Sequence, residues 1–111
     1  MNDYNIIDKI EWHDGIFLNS QLSCKGGSIN LVLSVSIYKE NKRKNLNIEF
    51  INIDNLTINM DAVELIDNRN AGNISNGYIK KTGGKLKYKF FLYLTDGYLN
   101  LTFENIKLSY E

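Results

Sequence analysis

Apolar and polar residues alternate with a period of two along much of this chain. From 29 to 37, the positions Ile29, Leu31, Leu33, Val35 and Ile37 share one parity. Leu46, Ile48 and Phe50 repeat the pattern, as do Leu86, Tyr88, Phe90, Leu92 and Leu94. Leu99, Leu101 and Phe103 follow, and Ile106, Leu108 and Tyr110 close the chain. Successive strand side chains point to opposite faces, so each run predicts a strand with one buried side. Between 51 and 60 the parity breaks. Ile51 and Ile53 lie on one side, and Leu56, Ile58 and Met60 on the other, which predicts a bulge or turn near Asp54-Asn55. Only 61–70 reads as helix. Asp61 and Glu64 form a capping pair there, Val63, Leu65 and Ile66 are expected to face inward, and Gly72 to stop it. Residues 4–11 fit either a turn of helix or a short strand.

Turn signals separate these runs: Asp14-Gly15, Gly26-Gly27, Glu40-Asn41-Lys42, Asn76-Gly77, Gly83-Gly84 and Asp96-Gly97. Such dipeptides supply the positive φ that tight hairpins need, and Asp96-Gly97 marks the clearest hairpin. The expected fold is mainly β. It is an antiparallel β-sandwich or meander of seven to eight short strands with one short helix, a single domain over 1–111. No low-complexity linker and no internal repeat is expected. With no proline, any edge strand must be kept from aggregating by charge.

Composition narrows the function. The 111 residues carry 13 Lys+Arg against 13 Asp+Glu, with one Cys and one His. Zero net charge argues against a dedicated nucleic-acid binder. One Cys forms no internal disulfide, and with one His it builds no zinc cage, so no metal or cofactor is expected. The start, Met1-Asn2-Asp3-Tyr4-Asn5, lacks the basic and apolar regions of a secretory signal, and no apolar run reaches membrane-spanning length. A cytoplasmic protein with a reduced Cys24 and no membrane partner is expected.

Several groups invite a chemical reading. In Trp12-His13-Asp14-Gly15, the His and Asp have the makings of a base and its orienter. Neighbours in a strand point apart, however, and no nucleophile is placed nearby. The structural expectation is that Trp12 anchors the N-terminus, His13 bonds backbone, and Asp14-Gly15 turns the chain. Cys24 is expected to be a small buried hydrophobe, since Lys25 beside it would point away. Gly83-Gly84-Lys85 fails as a phosphate loop, because Ile79 and Leu86 stand where Gly and Ser/Thr are required. Asp54, Asp61, Glu64 and Asp67 lack calcium-loop spacing.

The most informative set is Lys85, Lys87, Lys89, Phe91 and Tyr93, all at one parity. If 86–94 turns Leu86 to Leu94 inward, these five line the outer face of one strand, with Lys80 and Lys81 just before it. Three readings compete: lysines that keep a sheet soluble, a docking surface for an acidic protein with aromatic anchors, and base stacking on a basic groove. Scarce arginine, only Arg43 and Arg69, weighs against the third.

The opening Trp12-His13-Asp14-Gly15, the segment from Phe50 to Leu56 and the C-terminal hairpin Leu92-Tyr93-Leu94-Thr95-Asp96-Gly97-Tyr98-Leu99-Asn100-Leu101-Thr102-Phe103 carry a resemblance. The chain resembles small bacterial β-rich families, uncharacterised or of immunity-protein type, from polymorphic toxin systems. These have a His-Asp-small-residue opening, and Gly15 stands here where Ala or Ser is usual. The resemblance implies a non-enzymatic module that binds a protein partner, a cognate toxin domain, and neutralises it. The expected partner-binding residues are Lys85, Lys87, Lys89, Phe91 and Tyr93, read from the strand face and not from the resemblance. The alternative is a small-ligand-binding β domain, or an enzyme centred on His13 and Asp14.

Overall fold

The computed structural model of the protein describes residues 4–67, 72–82 and 88–111. In chain order the elements are α1 (Tyr4–Lys9), β1 (Glu11–Lys25), β2 (Ser28–Lys39), β3 (Lys42–Ile51), β4 (Asp54–Met60), α2 (Ala62–Asp67), β5 (Ile74–Lys81), β6 (Tyr88–Leu94), β7 (Gly97–Phe103) and β8 (Asn105–Tyr110). The strands form one open, meander-like antiparallel sheet in the order β4-β7-β6-β5-β1-β2-β3-β8. The fold is therefore mainly β, with eight strands and two very short helices.

Most of the alternating residues do what their period demands, but Ile29 and Tyr110, at strand ends beyond the core, are 40% and 39% exposed, and Leu86 lies outside the described residues. Leu31, Leu33, Val35 and Ile37 are buried, as are Leu46, Ile48, Phe50, Phe90, Leu92, Leu99, Leu101 and Phe103. The sheet coils until its two halves face each other across this core. Phe50 on β3 lies 5.0 Å, centroid to centroid, from both Phe90 on β6 and Phe103 on β7. Those strands are far from β3 in sheet order, so only coiling brings the rings together.

The break near Asp54-Asn55 is a real irregularity. Register shifts between Asp54 and Thr57, and Asn55 sits at φ 51°. Two expected turns are not turns. Gly15 lies within β1 and Gly77 within β5, where each lets another chain segment come close. Of the expected helix over 61–70, Ala62–Asp67 is helical and 68–70 lie outside the described residues. Asp61 does cap it, its carboxylate accepting from the N–H groups of Val63 and Glu64 at 3.1 Å each. Val63 and Ile66, however, are 68% and 59% exposed instead of facing inward. The six described helical residues span less than two turns, too few by themselves to lay a full apolar stripe on the sheet.

The topology overturns the expectation of no internal repeat. Helix and four strands (α1-β1-β2-β3-β4) are followed by helix and four strands again (α2-β5-β6-β7-β8). Exchanging β1 with β5, β2 with β6, β3 with β7 and β4 with β8 reverses the sheet order and leaves it unchanged. Each half is a three-stranded meander whose fourth strand crosses to the edge of the other half. Sequence correspondences follow the exchange. Leu46-Asn47-Ile48-Glu49-Phe50-Ile51-Asn52-Ile53 matches Leu99-Asn100-Leu101-Thr102-Phe103-Glu104-Asn105-Ile106. His13-Asp14-Gly15-Ile16-Phe17 matches Ser75-Asn76-Gly77-Tyr78-Ile79. Contacts at the central β1–β5 seam are reciprocal. A Cβ on Gly15 would meet Ile74, and a Cβ on Gly77 would meet Trp12, the residue equivalent to Ile74. The N–H groups of Phe17 and Ile79, also equivalent, are capped by the side-chain oxygens of Asn73 and Asp8 at 3.0 Å each. Hairpins of unequal length change the residue offset between the halves from strand to strand, so no fixed period shows in the sequence.

Candidate functional site on the β5–β6–β7 face

On β6 the inward set Phe90, Leu92 and Leu94 leaves Lys89, Phe91 and Tyr93 on the outer face. Register then assembles a patch from three strands. Lys80 lies opposite Lys89 and Tyr78 opposite Phe91 on the β5 side. Tyr98 lies opposite Tyr93, and Asn100 opposite Phe91, on the β7 side. Lys89, Phe91 and Tyr93 are thus where the alternation placed them, while Lys85 and Lys87 lie outside the described residues. The sequence reading placed Lys80 beside this set but missed Tyr78 and Tyr98 as members of the face. Their alternation within β5 and β7 was visible, but only the pairing register puts them beside Phe91 and Tyr93.

The rings stack in one layer. Tyr78 and Phe91 are 4.8 Å apart at 19°, Phe91 and Tyr93 6.4 Å apart at 10°, and Tyr78 and Tyr93 6.2 Å apart at 29°. The Lys89 ammonium sits 5.1 Å from the Phe91 ring centre, in reach of a cation–π attraction. Hydrogen bonding to Tyr78, with partial burial, raises the Tyr93 phenol above its ordinary pKa, and Lys89 opposes this weakly. Tyr93 therefore stays a neutral hydrogen-bonding group beside two lysines. The patch offers flat apolar area, phenol hydroxyls and positive charge together, which is the composition of a protein-binding hot spot.

The internal repeat supplies a control for this face. By register, the positions of Lys89, Phe91 and Tyr93 on β6 correspond to Val32, Ser34 and Ser36 on β2. Tyr98 corresponds to Asn45 and Tyr78 to Ile16 by the same exchange. The same architecture is thus built once with stacked rings and once with mainly small polar residues. There Ser34 donates to Asn47 at 2.6 Å, and Asn47 donates to Glu111 at 3.2 Å. The fold does not require aromatics at these places.

The other candidates are placed differently from expectation. Trp12 is buried, and its indole N–H donates to the Ile7 carbonyl at 3.0 Å, so it does anchor the N-terminus. His13 and Asp14 do not point apart. Asp14 takes φ 66° in an irregular stretch of β1, which brings its carboxylate to 3.3 Å from His13 Nδ1. Both are largely exposed, at the rim of an open cleft of about 320 Å³ with Glu11, Tyr38 and Asn41. Cys24 is exposed instead of buried, because the end of the β1–β2 hairpin extends beyond the core. Among the described residues, no three His, Cys, Asp or Glu side chains gather as metal ligands, and no helix is long and apolar enough to cross a membrane. Compared with known proteins, the chain matches no family model, no curated protein and no solved structure.

Proposed function

We propose that this chain is a non-enzymatic protein-binding module whose β5–β6–β7 face docks an acidic protein partner, and that the partner is a cognate bacterial toxin domain neutralised in the cytoplasm. The observation that carries the docking reading is the stacked layer of Tyr78, Phe91 and Tyr93 beside Lys80 and Lys89. Half-exposed rings on a sheet face gain by being covered, and lysines at the rim select an acidic partner and speed its approach. The immunity assignment rests on the Trp12-His13-Asp14-Gly15 opening, the Phe50 to Leu56 segment and the 92–103 hairpin described above.

The internal repeat suggests the test. Phe91→Ser and Tyr93→Ser install the residues that β2 carries at the equivalent positions, so the sheet should tolerate them. Combined with Lys89→Glu, they are expected to weaken the complex with a co-expressed neighbouring toxin domain at least ~100-fold, or ~2.7 kcal/mol. Rescue of toxin-expressing cells should be lost while the thermal unfolding midpoint stays near that of the parent. Affinity unchanged in a folded triple variant would remove this face from the interaction. Absence of any complex with the neighbouring gene product would remove the immunity assignment.

A further inference from the structure

Among the described residues the two halves differ at a second place. β5 runs past β1 with one edge unpaired by strand, and α1 packs against β5 while Asp8 caps the Ile79 N–H. β1 likewise runs past β5. After the single pairing of Gly15 with Ile74 and the Asn73 cap on Phe17, no described residue hydrogen-bonds its outer edge from Leu18 to Lys25. α2, the counterpart of α1, makes no comparable packing against β1 among the described residues. The edge left unpaired among the described residues is eight residues long, about 26 Å at strand rise. Its other edge is fully engaged, since Asn19 to Lys25 pair with Ser34 to Ser28 of β2. It is thus a rigid template.

We propose that two copies of this chain pair antiparallel, edge to edge, through residues 18–25 of β1, joining their sheets about a two-fold axis. Charge is the reason for choosing a second copy. In such a pair each strand meets its own sequence, so any charge near the axis faces its like. No charged residue lies between Asp14 and Lys25. The corresponding hairpin of the second half carries five lysines from Lys80 to Lys89 and would repel its copy. The other free edges are poorer templates. β4 is bent by the irregularity at Asn55, and β8 carries Lys107 within the strand. Apolar exposure coincides with the bare edge. Leu18 is 46% and Leu22 52% exposed, and Ile29, opposite Cys24 on the same hairpin, is 40% exposed. Pairing would bring a second hairpin alongside these side chains. The proposal is independent of the aromatic face, which lies on the other half.

Sedimentation of the full chain over about two decades of concentration tests it, with hydrogen exchange read at the 18–25 amides. The expected result is a monomer–dimer equilibrium with exchange at these amides slowing as dimer forms. Asn19→Lys with Gln21→Lys should raise the dimer dissociation constant at least ~10-fold and restore fast exchange. Asn19→Ser with Gln21→Ser should leave the dimer intact. A monomer throughout the range overturns the proposal, as does a dimer that survives the lysine pair. Edge amides protected only when a toxin domain is added would also overturn it, and would give the edge to the partner instead.

Discussion

Replacing Gly77 by alanine puts a methyl group into the indole of Trp12. A Cβ at Gly77 falls 2.7 Å from Trp12 Cδ2 and 2.8 Å from Cε2, about 1 Å closer than carbon atoms rest in van der Waals contact. The indole has little freedom to retreat. It is 3% exposed, its N–H is held by the Ile7 carbonyl at 3.0 Å, and its ring lies 5.7 Å from Phe90. Overpacking of this kind costs ~1–3 kcal/mol, and loss of the buried N–H partner adds ~1–3 kcal/mol. A net destabilisation of ~2–6 kcal/mol is a large share of a typical ~5–15 kcal/mol. It should lower the thermal midpoint by at least ~10 °C. Trp12 is the sole tryptophan, so its fluorescence reports the displacement directly while urea unfolding gives the free energy. Trp12→Phe should leave room for the methyl, so the double variant should lose at least ~1 kcal/mol less than the two single changes together. Gly26→Ala is the control. Its Cβ meets nothing within 4 Å, and only the φ of +51° costs, at ~1 kcal/mol. A Gly77→Ala protein within ~0.5 kcal/mol of the parent with unchanged emission, or a strictly additive cycle, would refute the contact.

Phe50→Ala should cost ~3–5 kcal/mol in chemical unfolding, because Phe50 is fully buried at the centre of the aromatic core, between Phe90 and Phe103. Asn73→Ala should cost ~1–3 kcal/mol, since the Asn73 side-chain oxygen is the acceptor for the Phe17 N–H; exchange at the Phe17 amide should rise with it. Tyr78→Phe removes the hydrogen bond that raises Tyr93, so Tyr93 should ionise at lower pH, read by ultraviolet titration. A raised phenol pKa adds stability that is fully present below the ordinary phenol value and lost as pH rises through the folded value. Tyr78→Phe should therefore flatten the alkaline loss of stability.

Much of the fold was legible because burial on one face of a strand imposes a period of two that a single chain displays. The core sets on β2, β3, β6 and β7, the Asp96-Gly97 hairpin and the irregularity at Asn55 were all readable this way. So was the outward parity of Lys89, Phe91 and Tyr93. What failed was local chemistry overruled by distant neighbours. Asp14-Gly15 and Asn76-Gly77 have the residues of a turn, but both are strand interiors. Gly15 is small because the Trp12 carbonyl and the Ile74 side chain approach it, and Gly77 because the Trp12 ring does. Cys24 has the character of a core residue, yet the hairpin that holds it extends past the core.

The sequence by itself determined the class of structure, most of the inward strand residues and the outward parity of Lys89, Phe91 and Tyr93, since each depends only on order along one strand. The tertiary structure alone decided which strands meet. That pairing gathers Tyr78, Lys80 and Tyr98 around Phe91 and Tyr93. It folds two helix-and-four-strand halves about one seam, and among the described residues it leaves the β1 edge from Leu18 to Lys25 unpaired while α1 packs on β5. Register and crossing connections relate residues far apart in sequence, and the local pattern of residues along a strand does not specify them.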